Sequence, residues 1–271
     1  MCTKRLKILT LFLFSLTCIS YSIHAQDRIF TYTYQSNVLN RGQRELEVWN
    51  TLRLGKKDYF SRLDNRTEFE IGLGNNLQTS FYLNLTTKTK TKGEGELKTT
   101  ETENEISFSN EWKLKLLDPV ANPVGLALYA EYGIGSSEYE LEGKIIIDKK
   151  INNFTIAGNL TYEAEYAPVY TNGKLSYEKE GLADYHLAFG YSLSPRFHLT
   201  QENNIKSVYM ARELEHSALY SGLGCSYVQD NFWINFTAMP QITSFKGATD
   251  NNLNLNEFEK VQFRLLFSYA F

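Results

Sequence analysis

The stretch that decides the fold is the end of the chain, residues 261–271, which read VQFRLLFSYAF. Apolar and mostly large side chains occupy one parity and end at Phe267, Tyr269 and Phe271, whereas the other parity is mostly polar or small. Strict period two predicts a β-strand with one apolar face, because successive side chains of a strand point to opposite faces. A strand of a soluble β-sandwich can have this pattern, and so can a strand of a membrane barrel. The rest of the chain has to decide between the two.

Alternating segments of the same kind follow one another from Glu45 onward, and the later ones begin near Ala183, Phe197, Ser217 and Phe232. They predict about twelve strands of roughly 10–14 residues, which are longer than most globular strands and suit a tilted membrane crossing. No apolar run after residue 25 approaches the roughly 20 residues of a membrane helix.

The connections between these strands differ in length. Short turns are predicted at residues 74–76, 118–123, 148–153, 194–196 and 229–231, and longer polar connections at 88–104, 167–182, 207–216 and 242–257. Two further connections, at 55–58 and 135–138, are tight. Short turns at one rim and longer loops at the other are typical of bacterial barrels, with the long side extracellular.

Aromatic residues lie near both ends of the apolar rows: Tyr132, Tyr139 and Tyr166 toward the loops, and Trp112, Tyr227, Phe232 and Tyr269 toward the turns. This distribution matches the two aromatic girdles of a membrane barrel. We therefore predict an all-β fold, a transmembrane antiparallel up-and-down barrel of about 12 strands over residues 41–271, surrounded by outer-membrane lipid. Phe267, Tyr269 and Phe271 also resemble the terminal signal of bacterial outer-membrane barrels, which implies the barrel-assembly machinery as a partner.

The N-terminus has the three parts of a secretory leader. A basic region with Lys4, Arg5 and Lys7 precedes an apolar region, and a cleavage site follows Ala25. We predict a signal peptide at residues 1–25 and, at residues 26–40, a periplasmic extension, with a short extra strand as the alternative. Removal of the leader takes away three basic and no acidic residues, which changes the net charge from −3 to −6. This acidity argues against a nucleic-acid partner, and Cys225 alone remains, so no intrachain disulfide forms.

Three segments carry a family resemblance: residues 38–47 (VLNRGQRELE), 68–73 (EFEIGL) and 111–125 (EWKLKLLDPVANPVG). They resemble the N-terminal, second and fourth strands of the outer-membrane barrels named after the meta-pathway of phenol degradation. The resemblance is loose and extends over most of the mature chain. It implies a channel or transporter-like protein, of a group often proposed to pass small hydrophobic or aromatic compounds, and no ligand-binding residue transfers by motif. The richness in Tyr and Asn is similar to that of outer-membrane proteins of Bacteroidetes.

The polar faces of the strands carry charged side chains that should line the lumen. The predicted lumen residues are Glu45, Glu47, Arg62, Asp64, Arg66, Glu68, Glu70, Glu111, Lys113, Lys144, Glu163, Glu165 and Arg264. Paired carboxylates can serve acid–base chemistry, but among so many basic residues they more simply form a charge lattice that braces a polar interior. Twelve strands imply a narrow bore, and acidic residues on its wall should favour cations over anions.

Few residues point to chemistry. The sequence shows no zinc spacing, phosphate loop or nucleophile elbow, so we predict no metal site and no cofactor. His216 beside Ser217, near two glutamates, is the one candidate for a nucleophile with its base, although neighbouring strand residues point to opposite faces. The predicted function is passage or binding of a small solute. The alternatives are a lipid hydrolase of the outer-membrane phospholipase type and a closed barrel that displays its loops.

Overall fold

A computed structural model describes residues 28–93, 97–249 and 251–271, and the predicted leader, residues 1–25, lies outside them. The described residues form one closed barrel of antiparallel strands, in which each strand pairs with its neighbours in sequence and β1 pairs with β12. The predicted all-β barrel of twelve strands is thereby confirmed. The strands are β1 (Arg44–Leu54), β2 (Phe60–Gly74), β3 (Leu77–Lys92), β4 (Thr99–Leu117), β5 (Gly125–Gly135), β6 (Tyr139–Ile151), β7 (Phe154–Thr171), β8 (Lys174–Ser192), β9 (Phe197–Met210), β10 (Glu213–Gln229), β11 (Phe232–Lys246) and β12 (Val261–Ala270).

The last strand closes the barrel. It pairs with β1 in a register that runs from Glu45 opposite Ala270 to Leu54 opposite Val261. Beyond it, the Phe271 N–H donates to the Arg44 carbonyl at 3.1 Å. The two parities that the sequence distinguishes therefore become the outer and the inner face of the wall.

The distribution of polarity is inverted relative to a soluble sandwich. Large apolar side chains on the outer face are exposed, Phe81 by 56% and Phe108 by 61%, while Glu45, Glu47 and Glu68 on the inner face are at most 1% exposed. Dozens of outward apolar side chains follow the same rule. Such a surface is stable only against an apolar medium. Among the described residues, no helix is long and apolar enough to cross a membrane.

One rim of the barrel, here called the turn rim, has connections at residues 75–76, 118–124, 152–153, 193–196 and 230–231. The opposite rim, here called the loop rim, has connections at 55–59, 93–98, 136–138, 172–173, 211–212 and 247–260. The prediction of long loops at 88–104, 167–182 and 207–216 is wrong, because paired strands occupy most of these segments and only short connections remain. Within the predicted loop at 242–257, β11 extends to Lys246, and the long connection to β12 follows it.

The physical reason for these errors is that polar strands continue beyond the apolar band. In the β3–β4 hairpin, Lys92 pairs with Glu101 at 2.8 Å, and Lys90 pairs with Glu103 at 2.7 Å. The β7–β8 hairpin closes on Asn172-Gly173, both with positive φ (53° and 76°), as a two-residue hairpin turn of this hand requires. Both faces of these strand ends are polar. A search for apolar residues at every second position therefore does not detect them.

Residues 28–43, here called the N-terminal segment, correct a second prediction. The described part of the predicted periplasmic extension does not project from the rim but lies inside the barrel, where Phe30 is fully buried and Tyr34 is 8% exposed. The wall makes room with small inward residues. Ala127, Ala157 and Ala188 belong to the same buried cluster. Burial of these aromatic rings inside the barrel removes apolar surface from water, which favours the inserted position.

Candidate functional site

The candidate site is the barrel lumen, which has two unequal halves. The N-terminal segment fills the half toward the turn rim, where its residues pack with Trp49, Tyr129 and Trp233. The half toward the loop rim contains a cavity of about 760 Å³, with Tyr32 and Tyr34 of the segment among its lining residues. The segment therefore forms the floor of the cavity.

Lumen side chains satisfy the backbone of the segment in place of a neighbouring strand. The Tyr34 N–H donates to Asn159 Oδ1 at 2.7 Å, and Asn159 Nδ2 donates back to the Tyr34 carbonyl at 3.0 Å. The Ser36 N–H donates to Asp148 at 3.1 Å, and the Leu39 N–H to Gln78 at 2.9 Å. Because a buried backbone N–H needs a partner, these side chains fix the course of the segment.

Glu202 of β9 holds the innermost point of the segment. Its carboxylate accepts hydrogen bonds from the backbone N–H groups of Thr31, Tyr32 and Thr33 at 2.8, 2.9 and 2.8 Å. The Thr31 hydroxyl donates to the same group at 2.9 Å, and the Thr237 hydroxyl at 3.1 Å. Hydrogen bonds to an ionised acceptor are about twice as strong as neutral ones.

Arg28 anchors the other end of the segment. Its guanidinium lies 4.4 Å from the ring centroids of both Tyr34 and Trp49, and Nη1 is 3.5 Å from Glu47 Oε2. Burial lowers the pKa of this guanidinium, but the nearby Glu47, Glu68 and Glu70 carboxylates outweigh burial and hold the pKa above its ordinary value. Arg28 is therefore a permanent positive charge inside the barrel.

Tyr32 reaches into the loop-rim half. The Arg264 guanidinium lies 3.8 Å from the centroid of its ring. Burial raises the pKa of Tyr32 to about 12, against the opposing charge of Arg264. The phenol is therefore neutral at physiological pH.

The cavity wall separates the two signs of charge. Basic side chains from β1, β2 and β12 line it on one side: Arg53, Arg62, Arg66 and Arg264. Acidic side chains from β6, β7, β8 and the connection before β6 line it on the other: Glu138, Glu140, Glu142, Glu163, Glu165 and Glu180. β1 and β7 are half the barrel apart in the strand order, so the two groups face each other across the cavity.

Residues of opposite sign lie within both groups and pair locally. Asp64 lies 2.7 Å from Arg53 and 2.6 Å from Arg62, and Lys144 Nζ is 3.0 Å from Glu142. Arg53 also lies 3.1 Å from Glu259, and Arg66 lies 3.1 Å from Glu131. The arginines of the basic side are therefore largely paired, and the excess charge of the cavity lining is acidic.

The lumen residues predicted from the sequence divide between the two halves. Seven of them line the cavity: Arg62, Asp64, Arg66, Lys144, Glu163, Glu165 and Arg264. The other six are buried on the inner face closer to the turn rim: Glu45, Glu47, Glu68, Glu70, Glu111 and Lys113. Glu111 accepts a hydrogen bond from the Tyr82 hydroxyl, and Lys113 lies 5.7 Å from the Tyr34 ring.

Glu202, Asn159 and Asp148 are functional residues that the sequence prediction does not include. Each has the inward parity of its strand, which was the available signal. Their role depends on contact with a segment more than a hundred residues away in sequence, and strand periodicity carries no information about that contact.

The structure does not bring His216 and Ser217 together. The Ser217 hydroxyl is 3.0 Å from the Ser207 hydroxyl, whereas the His216 ring lies 3.2 Å from Asn254 Nδ2 and 3.8 Å from Glu257. Within the described part of the chain, no hydrogen bond joins the serine to the histidine. A nucleophile–base pair requires that bond, so this geometry gives hydrolysis no support.

A protein-family model matches residues 22–271 and is described as a family of unknown function, DUF6662. The chain belongs to the DUF6662 family. No curated protein matches its sequence. The solved structures similar to this DUF6662 chain show a shared fold at low sequence identity.

One of them is the COG4313 outer membrane channel from Pseudomonas putida F1, with a TM-score of 0.59 and 10% identity over 89% of this chain and 100% of the other. The NanC porin has a TM-score of 0.50 and 11% identity over 83% and 98% of the two chains. The β domain of the Bordetella autotransporter BrkA has a TM-score of 0.52 and 9% identity over 85% and 99%. Channels and an autotransporter share this architecture, so the fold alone does not select a function.

Proposed function

We propose that this DUF6662 barrel is an integral protein of the bacterial outer membrane and a channel for a small polar solute that enters at the loop rim. The observation that carries the proposal is the cavity of about 760 Å³ with basic and acidic walls. Its volume is that of a site for a small molecule. The apolar outer face and the fold shared with a channel and a porin support the location and the general role.

The polar cavity narrows the class of solute. The family resemblance in the sequence implies a hydrophobic or aromatic compound, and that resemblance stays a prediction. Arg62, Arg264, Glu163 and Glu165 line the cavity, and an apolar solute would desolvate such charges without replacing their hydrogen bonds. A solute with charged or hydrogen-bonding groups fits this lining better.

In this proposal, the structure represents the closed form of the channel. The N-terminal segment occupies the turn-rim half of the lumen and is held there by Glu202 and Arg28. Passage requires the segment to leave that half. Because it joins β1 at the turn rim, it can do so while β1 stays paired with β2 and β12.

Planar-bilayer conductance tests the proposal with two proteins, the full chain and a variant that lacks residues 28–40. We expect long-lived conducting events from the deletion variant and rare or brief ones from the full chain. The folded state of both is checked by the heat-dependent mobility of the barrel on gels. A folded deletion variant that does not conduct would rule out the channel function.

A closed scaffold is the second candidate, because the segment fills half of the lumen and the β3–β4 hairpin carries exposed ion pairs beyond the barrel. In that case both proteins in the conductance experiment stay closed. The role of Phe267, Tyr269 and Phe271 toward the assembly machinery remains a separate proposal, supported by their position on the outer face of the closing strand.

A further inference from the structure

Four carboxylates form a two-by-two array on neighbouring strands in the turn-rim half of the lumen. Glu45 lies opposite Glu70, and Glu47 lies opposite Glu68, in the register of β1 with β2. None of the four is more than 4% exposed. Like charges directly opposite each other destabilise a sheet, so this arrangement requires compensation.

Hydrogen-bond donors and a positive charge compensate the two carboxylates on β1. Glu45 accepts hydrogen bonds from Trp233 Nε1 at 2.8 Å and from the Ser268 hydroxyl. Glu47 accepts one from Trp49 Nε1 at 2.7 Å and faces Arg28.

The two carboxylates on β2, Glu68 and Glu70, have fewer partners. Among the described residues, no donor from outside the array reaches either carboxylate oxygen of Glu68 or Oε2 of Glu70. An ionised carboxylate that is buried without partners is strongly unfavourable. Glu68 is 1% exposed, so water at the surface cannot supply the missing interaction.

Nearby cations are too few for the array. Arg28 contributes one positive charge, and its Nε and Nη2 donate to the carbonyls of Phe30 and Thr31 at 3.1 and 3.2 Å. Lys113 of β4 lies opposite Gln78 of β3, and among nearby carboxyl groups Glu111 acts on it more strongly than Glu70 or Glu47. One guanidinium cannot neutralise four carboxyl groups, so the array needs bound protons or a further cation to be stable in this buried position.

The spacing of the oxygens fits a metal ion. One oxygen from each of Glu47, Glu68 and Glu70 can be chosen so that all three lie within 4.8 Å of one another. Ca²⁺ binds oxygen ligands at about 2.3–2.6 Å, so two ligands on opposite sides of it are up to about 5 Å apart, whereas the shorter bonds of Mg²⁺ demand a tighter octahedral cage. A set of carboxylates without histidine or cysteine also disfavours zinc and copper.

We propose that Glu47, Glu68 and Glu70 bind one divalent cation of the Ca²⁺ class. The cation neutralises the array and links β1 to β2 beneath the N-terminal segment, next to Arg28. The proposed cation site does not depend on the channel function, because it concerns the stability of the barrel wall and of the N-terminal segment inside it.

Calcium titration of the purified full chain in detergent tests the site. Divalent ions are first removed with EDTA, and CaCl₂ and MgCl₂ are then compared by isothermal titration calorimetry. We expect about one site per chain that prefers Ca²⁺, with affinity lower by roughly tenfold or more in Glu68→Gln. Calcium should also raise the melting temperature of the unaltered protein and leave that of Glu68→Gln nearly unchanged.

The chain offers a matched control. Glu138, Glu140 and Glu165 also place three oxygens within 4.8 Å of one another, but all three residues are partly exposed. Glu140→Gln should keep the calcium site. Loss of binding in Glu140→Gln with retention in Glu68→Gln would overturn the assignment, and so would a folded protein that binds neither calcium nor magnesium.

A luminescence measurement keeps the test decisive if Glu68→Gln does not fold. Terbium substitutes for calcium and emits when a nearby tryptophan is excited, and Trp49 Nε1 contacts Glu47 directly. We expect emission that calcium displaces, that falls in Trp49→Phe and that is unchanged in Trp112→Phe, whose side chain is on the outer face. Equal emission from both variants would contradict a site at the array.

Discussion

Glu202 Oε1 accepts hydrogen bonds from both the backbone N–H and the hydroxyl of Thr31, at 2.8 and 2.9 Å, across 171 residues of sequence. The other oxygen of the carboxylate accepts the next two backbone N–H groups, those of Tyr32 and Thr33. Successive N–H groups that converge on one anion form a strong and geometrically specific site. Here the anion belongs to the wall and the N–H groups to the segment that fills the turn-rim half of the lumen.

We predict that Glu202→Gln destabilises the closed form. Glutamine keeps the size of the side chain but removes the charge and turns an N–H₂ group toward the N–H donors of the segment. The loss of hydrogen bonds to a charged group is worth about 1.5–3 kcal/mol, which shifts the population of the closed form by roughly tenfold to a hundredfold. Single-channel recordings should show a higher open probability.

The matched control for this change is Glu180→Gln, which alters an acidic residue of the cavity opposite Met210, next to the loop rim. It should leave the open probability near that of the unaltered protein. An equal increase in both variants would indicate a general effect of cavity charge and would contradict the role of Glu202.

The barrel could be predicted from the sequence because the apolar face of its strands repeats with period two. In β12, outward Leu265, Phe267 and Tyr269 alternate with inward Gln262 and Ser268, as the sequence indicates. The number of strands follows from the same repeat. The pattern does not reveal the polar ends of β3 and β4, since Thr, Lys and Glu alternate there on both faces.

The N-terminal segment could not be predicted in the same way. Phe30, Tyr32 and Tyr34 alternate with Ile29, Thr31 and Thr33, a pattern typical of a strand, yet all six residues are buried. They are buried because lumen side chains surround the segment on all sides. The alternation of residue types along the sequence shows only that two sets of side chains point to opposite sides of the chain. It cannot distinguish a strand in a sheet from an extended segment enclosed by a barrel.

The β3–β4 hairpin should be the most accessible part of the barrel from outside the cell. The strands that flank its tip extend to Lys92 and Thr99 and are joined by ion pairs such as Lys92 with Glu101. Proteinase K added to intact cells should cut at this tip before it cuts the turn at residues 118–124. Preferential cutting at that turn would reverse the orientation in which the loop rim faces outward.

Deletion of Phe271 should impair assembly more than it destabilises the folded barrel. The transfer of this one side chain out of water contributes at most the about 1.5–3 kcal/mol of a buried phenylalanine, which is small beside the hydrogen bonds of a twelve-stranded barrel. We expect several-fold less folded barrel in membranes but a nearly unchanged urea midpoint for refolded protein. Phe154→Ala, an exposed outer-face change on β7, half the barrel away from β1, is the control and should reach normal membrane levels. Normal levels of the deletion variant would contradict a terminal assembly signal.

The ion preference of the open channel should depend on Glu163 and Glu165. Both line the acidic wall of the cavity, and fixed charges within a Debye length of a permeating ion act on it with little screening. In the variant that lacks residues 28–40, replacement of both by Gln should reduce the potassium-to-chloride permeability ratio by roughly a factor of two or more. Reversal potentials in a salt gradient measure this ratio. The control replaces Glu101 and Glu178 by Gln, because these residues lie on the β3–β4 and β7–β8 hairpins and do not line the cavity. If the hairpin changes shift the reversal potential as much as the cavity changes do, the selectivity arises at the outer surface and not at the acidic wall.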